Sequence, residues 1–133
     1  VDPEPQLEPI DFAAEFSRIA QLGLLERGDL QTYYSLMSEN LRRFLERDAG
    51  VDAMEQTTSE LAAAMNRARV ESSLVFRVVG YLEAADLVKF ARFHPDVDAA
   101  RCAPEAGLDL LRAIQADIAA RTAPAEAHAE HPV

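Results

Sequence analysis

The sequence has little of what disulfide-bonded, membrane-spanning or motif-bearing catalytic proteins require. Its 133 residues include one cysteine, Cys102, so no intramolecular disulfide can form, and a lone thiol suits a reducing compartment. No run of about 18 uncharged apolar residues occurs, so nothing in this stretch is expected to span a membrane. The motifs of P-loop proteins, dinucleotide-binding proteins, serine hydrolases and zinc proteases are all missing. These absences favour a non-enzymatic domain.

Glycine and strand patterns are also scarce. Only 5 glycines and no tryptophan occur, and no alternating apolar–polar run indicates a strand. Strong helix formers fill every long segment, and hydrophobic residues make up 49% of the chain, which is typical of a globular core. We therefore predict an all-α fold, a single-domain bundle of about five helices.

Positive charge is in short supply. The 13 Lys and Arg residues are outnumbered by 23 Asp and Glu residues, which gives a net charge of −10. Because nucleic-acid affinity comes largely from counterions released by Lys and Arg, this balance predicts no nucleic-acid partner, and anionic lipid should be repelled as well. One alternative stays open, a helical DNA-binding or regulatory domain that would use a basic face of four arginines: Arg67, Arg69, Arg77 and Arg92.

Composition divides the chain into three parts. Residues 1–10 are rich in proline and acidic side chains and predict an extended linker. Residues 11–122 carry helical periodicity, and residues 123–133, which lack large apolar side chains before the last position, predict a disordered tail. The linker has neither the basic residues nor the apolar core of a signal peptide, and without an initiating Met we expect a fragment or a processed chain.

The most apolar stretch, Leu74 to Phe93, predicts the central helix of the bundle. Its apolar residues cover more than half of the helix circumference, and a helix of that kind is normally buried. Periodicity also predicts a helix over Leu30 to Asp48, capped by Asp29, and a short helix over Ser59 to Ala68. Thr57 and Glu60 have the spacing of a capping box at the start of the short helix.

Glycine and proline set the remaining helix ends. A first helix is predicted from Asp11, with Gly28 as its stop signal, and Pro95 ends the central helix. Pro104 is predicted to divide the last segment into a short turn over Val97 to Ala103 and a longer helix that restarts at the proline.

Candidates for catalysis or metal binding are few. His94 is best interpreted as a helix cap and Cys102 as a small core residue. His128 and His131 form an H-x-x-H pair in the predicted tail without a cysteine partner, so no structured zinc site is expected. No catalytic, cofactor-binding or metal-binding residue is predicted, and no cofactor.

Asp86 and Lys89 are charged residues within the apolar central helix. An unpaired buried charge is costly, so these two must be exposed or paired. One interpretation is structural, an ion pair between them and a second pair with Arg42 or Arg43. The other is functional, a polar notch that a partner protein recognises, with Asp86 and Lys89 as candidate partner-binding residues.

Three motifs follow one another between Leu22 and Pro95. They consist of Leu41, Arg42, Phe44, Leu45 and Glu46; then Thr57, Thr58, Glu60 and Leu61; then Ala85 through Ala91. Their order resembles the cytosolic helical tail of bacterial oxygen-tolerance (BatD-like) membrane proteins and short single-span relatives. In that family an L-R-x-[FY]-L-E helix, a T-T-x-E-[LIV] cap and an A-D-L-V-K-F-A helix occur in the same succession.

The resemblance implies a location and partners. It implies an upstream transmembrane helix absent from this sequence, with the domain at the cytoplasmic face of the bacterial inner membrane. It also implies action beside MoxR-type AAA+ ATPases and von Willebrand A-domain proteins in envelope or oxidative stress tolerance. No catalytic residues carry over. The family continues as one helix beyond Pro95, and Pro104 and Gly107 depart from that pattern.

Overall fold

The computed structural model describes the backbone of residues 10–130 and the side chains of residues 10–121. These residues form five helices: α1 (Phe12–Ala20), α2 (Leu30–Asp48), α3 (Thr58–Arg67), α4 (Ser72–Ala91) and α5 (Val97–Glu130). No strand occurs in the described part of the chain. The prediction of an all-α single-domain bundle is confirmed. Of the predicted linker at residues 1–10, residues 1–9 lie outside the described residues.

Four of the helices start at a side-chain cap. Asp11 Oδ1 accepts from the Ala14 backbone N–H at 3.0 Å, and Asp29 Oδ1 accepts from that of Thr32 at 3.3 Å. Such caps satisfy backbone donors that have no partner within the helix. α2 begins and ends at the predicted residues, and α3 is shifted by one residue at each end.

The core lies between α2 and α4. α2 packs against α1, α4 and α5, while α4 packs against α2, α3 and α5. The largest fully buried side chains come from all five helices: Phe16, Ile19, Met37, Leu41, Phe44, Leu45, Leu61, Met65, Val78, Leu82, Leu111 and Ile114. α4 is therefore central, as predicted, and shares that position with α2.

α4 is nevertheless buried on one face only. The inner face of α4 is the buried stripe Leu74, Val78, Leu82, Ala85 and Val88. The outer face of α4 consists of the exposed residues Phe76, Arg77, Gly80, Glu83, Ala84 and Leu87. The prediction that the helix is covered on most sides is wrong, because no other helix of the described chain packs on the outer face.

α5 runs without interruption through Pro104, which corrects the predicted break. Proline has no backbone N–H for the carbonyl of Ala100, four residues earlier. The Tyr33 hydroxyl takes the place of that donor and bonds Ala100 O at 2.8 Å in the buried interior. The Tyr81 hydroxyl likewise donates to Ala103 O at 2.9 Å. Tyr33 thus replaces the donor that the proline lacks, and Tyr81 links α4 to the same turn of α5.

Gly107 lies at the closest approach of α1 and α4 to α5. A Cβ at this position would lie 2.5 Å from Phe16 Cε1 and 2.7 Å from the Tyr81 hydroxyl oxygen. Only glycine leaves room for both rings, so Gly107 is required for packing and does not end the helix.

The two ends of the described chain also differ from expectation. α1 ends at Ala20, well before Gly28, since Gly23 adopts a left-handed φ of +76° and the following Leu24 turns into the core. α5 extends to Glu130 and so includes positions 123–130 of the segment predicted to be disordered.

None of the helices in the described residues combines the length and the apolar composition that a membrane span requires.

Candidate functional site

A groove of about 550 Å³ lies beside the C-terminal half of α4, where this helix meets α2 and the connector that leads into α3. Both Asp86 and Lys89 line it, so the two charged residues identified from the sequence share one cavity. We call it the Asp86–Lys89 groove. The other lining residues used below are Ser38, Glu39, Arg42, Met54, Thr58 and Phe90.

Arg42 anchors the connector to α2 beside this groove. Its Nη1 donates to the carbonyl oxygens of Ala53 and Gln56, both at 2.7 Å, and its Nη2 donates to Thr58 Oγ1 at 3.3 Å. Burial lowers the pKa of Arg42, while the nearby negative charge of Asp86 acts in the opposite direction. The guanidinium therefore has a structural role in shaping the groove.

Asp86 is linked to Arg42 through a hydroxyl. Thr58 Oγ1 accepts from Arg42 and donates to Asp86 Oδ2 at 2.9 Å. The predicted ion pair of Asp86 with Arg42 or Arg43 does not form among the described residues, because Arg42 bonds backbone carbonyls and Arg43 pairs with Glu39 at 2.6 Å. One oxygen of the half-buried Asp86 carboxylate is thus held by a neutral donor.

Lys89 turns away from Asp86, so the predicted pair between them is also absent from the described structure. Its Nζ lies 3.5 Å from Ser38 Oγ on α2 and 5.0 Å from the centre of the Phe90 ring. Asp86 points to α3 and Lys89 to α2, which separates two side chains that are three residues apart. Within residues 10–121, the ammonium group has no carboxylate partner.

Two large apolar side chains border these charges. Phe90 is 76% exposed and Met54 is 36% exposed. The Lys89 ammonium is close enough to the Phe90 ring for a cation–π attraction. The groove therefore offers an ammonium group, a carboxylate and an apolar rim within one surface, which is chemistry suited to recognition.

The capping box at Thr57 and Glu60 is confirmed as a structural feature. Thr57 Oγ1 accepts from the Glu60 backbone N–H at 3.2 Å, and Glu60 Oε1 accepts from that of Thr57 at 2.9 Å. The hydrogen bonds from Thr57 lower the pKa of the Glu60 carboxyl. The cap fixes the start of α3 and so places Thr58 where it can reach Asp86.

His94 and Cys102 do not have the structural roles predicted for them. His94 lies beyond the end of α4, where the backbone N–H groups of Arg92 and Phe93 bond the Leu87 carbonyl instead. Cys102 is exposed, because its neighbour Ala103 occupies the buried position on α5.

No metal cluster emerges from the described structure. Among its residues, no three His, Cys, Asp or Glu side chains lie together as metal ligands would. The side chains of His128 and His131 lie outside the described residues.

Sequence reasoning named Arg42 on α2 but missed Ser38, which also lines the groove. Ser38 is buried within the apolar stripe of α2 and comes four residues before Arg42, so both lie on the side that faces α4. Phe90 belongs to the apolar stretch that predicts a buried central helix, yet it is exposed and forms the rim of the groove. The sequence does contain a signal for these α2 residues: Ser38 and Arg42 are polar, lie four residues apart and interrupt an otherwise apolar stripe.

The chain has no match among family models, curated proteins or solved structures.

Proposed function

We propose that this domain is a non-enzymatic protein-interaction module that docks a partner protein in the Asp86–Lys89 groove. The observation that carries this proposal is the exposed Phe90 ring beside the half-buried Lys89 ammonium, which has no carboxylate partner in the described structure. Aromatic anchors next to charged groups are enriched at protein interfaces, because the ring buries a large apolar area and the charges set the orientation.

The walls of the groove suit a preformed docking site. Arg42 fixes the connector through two backbone carbonyls, and the Thr57–Glu60 cap fixes the start of α3. Less ordering is therefore required when a partner binds, and a preorganised site loses less affinity to conformational entropy. A partner segment with an acidic side chain for Lys89 and an apolar side chain for Phe90 matches this surface.

The resemblance stated above supports a specific setting for this module. We place it at the cytoplasmic face of the bacterial inner membrane, attached through an upstream transmembrane helix, as part of a system for envelope or oxidative stress tolerance. A MoxR-type AAA+ ATPase or a von Willebrand A-domain protein is the proposed partner.

A pull-down from the native host, with mass spectrometry of the captured proteins, tests the proposal. We expect recovery of an AAA+ ATPase or an A-domain protein, and loss of that capture with Phe90→Ala and with Lys89→Glu. Leu22→Ala, at an exposed leucine outside the groove, and Arg112→Glu, at an exposed cation on α5, are the matched controls. Capture that is unaffected by both groove substitutions would show that the groove is not the docking site.

A helical DNA-binding or regulatory domain is the second candidate. One observation favours it, four exposed arginines that form no ion pair within the described residues: Arg67, Arg69, Arg77 and Arg92. The net charge of −10 opposes binding to phosphate. We expect no shift of duplex DNA in a gel; a shift that weakens with added salt would favour this candidate.

A further inference from the structure

The outer face of α4 is an apolar strip that nothing in the described chain covers. Phe76 is 81% exposed and Leu87 is 49% exposed. Gly80, Glu83 and Ala84 lie between them and are also exposed. Residues three, four and seven apart share one side of a helix, so the strip is continuous over about 16 Å.

Gly80 lies at the middle of this strip, and no contact within the described residues requires a glycine there. A Cβ added there would meet no atom within 4 Å. Glycine in a helix interior is less favourable than alanine, and its usual benefit is the close approach of another backbone. No such backbone lies near Gly80 among the described residues, and a second molecule could supply that approach.

Along the outer face of α4, residues at equal distances before and after Gly80 have opposite charges or contrasting sizes. Arg77 comes three residues before it and Glu83 three residues after it, and neither has an ion-pair partner within residues 10–121. Phe76 comes four residues before it and the small Ala84 four residues after it. The positive Arg77 thus has the negative Glu83 as its counterpart across Gly80, and the large Phe76 has the small Ala84.

We propose that a second copy of this chain docks antiparallel along the outer face of α4, with the two-fold axis at Gly80. A two-fold axis places each position after Gly80 opposite the equivalent position before it in the other copy. Arg77 then faces Glu83 of the second copy, twice, and Phe76 packs against Ala84 of the second copy. This charge and size complementarity is what identifies a second copy as the occupant.

The dimer should be weak and reversible. One helix pair lies at or below the lower limit of standard interfaces, about 1,200 Å², so we expect a dissociation constant on the order of 10–100 µM. Repulsion between two chains of net charge −10 is largely screened at an ionic strength of about 0.15 M, where the Debye length is about 8 Å. The outer face shares no lining residue with the Asp86–Lys89 groove, although Leu87 adjoins Phe90, and this inference therefore goes beyond the proposed function.

Sedimentation velocity of the full chain, from about 5 to about 300 µM at that ionic strength, tests the dimer. Arg77→Glu and Glu83→Arg should each weaken it about tenfold through like-charge contacts, and the double variant should restore wild-type affinity. Arg112→Glu changes the net charge by the same amount and sign as Arg77→Glu, but on another helix, and should have no effect. A chain that stays monomeric, single reversals without effect, or a double reversal that fails to restore the dimer would each overturn the proposal.

Gly80→Ala provides a test with two effects of opposite sign. The added methyl should raise the unfolding temperature of the dilute monomer, because alanine is the better helix former, and should weaken the dimer, because it separates the two helices. A variant that is stabilised and dimerises as well as wild type would overturn the close approach at Gly80. The Arg77→Glu variant should capture a partner protein as well as wild type does. This result distinguishes failure of the dimer from failure of docking in the Asp86–Lys89 groove.

Discussion

The two faces of α4 carry similar apolar side chains in opposite surroundings. Leu82 on the inner face is 1% exposed, whereas Leu87 on the outer face is 49% exposed. Apolar side chains on most sides of α4 therefore do not mean that every side of the helix is buried. The number of helices that pack against it decides burial, and a face left uncovered by its own chain is available to another molecule.

The largest effect that tests this comparison is the loss of stability when one leucine on each face is truncated to alanine. Leu82→Ala should lower the free energy of unfolding by about 2–5 kcal/mol, since it leaves a cavity in the core. Leu87→Ala should cost less than about 1 kcal/mol. Urea denaturation at low protein concentration measures both. Equal costs for the two variants would contradict the assignment of the outer face as uncovered.

The next effect concerns α5, against which the inner face of α4 packs. Tyr33→Phe should cost about 1–3 kcal/mol, because it leaves the buried Ala100 carbonyl without its hydrogen-bond donor. In a Pro104→Ala background the alanine N–H supplies that donor, so the same substitution should cost less. The double-mutant cycle checks this coupling. A cost for Tyr33→Phe that is independent of residue 104 would show that the hydroxyl does not compensate for the proline.

A smaller effect is expected in alkali, where the buried tyrosines next to the inner face ionise. Burial raises the pKa of Tyr33 to about 12 and also raises the pKa values of Tyr34 and Tyr81. The unfolded chain, with ordinary tyrosine pKa values near 10, loses these protons first. The contribution of these tyrosines to stability should therefore be constant below about pH 10 and should be lost progressively as the pH rises above about 10. Denaturation at a series of pH values checks this, and a smaller loss in Tyr33→Phe is the control.

Much of the fold was predictable from local signals. Asp29 and the Thr57–Glu60 box are caps whose geometry depends only on neighbouring residues, and α2 and α3 begin where these caps require. Pro104 was misjudged because its tolerance depends on Tyr33, 71 residues away along the chain. Long-range partners of this kind leave no periodic signal in the sequence.

The candidate site was predictable in part. The conflict between charge and apolar surroundings identified Asp86 and Lys89, and both line one groove. The predicted ion pair between Asp86 and Lys89 was wrong, because it was inferred only from their spacing within one helix. In the structure Asp86 contacts Thr58 on α3 and Lys89 lies near Ser38 on α2. Which neighbouring helix each side chain faces depends on tertiary packing.

Asp86→Ala provides the most direct test of whether the groove serves binding or stability. Asp86 is only half-buried and accepts a hydrogen bond from a neutral hydroxyl, so we expect a loss of less than about 1.5 kcal/mol of stability. Capture of the proposed partner protein by the folded variant should be lost. A loss of several kcal/mol, with partner capture retained by the fraction that folds, would contradict the account and make Asp86 a structural residue.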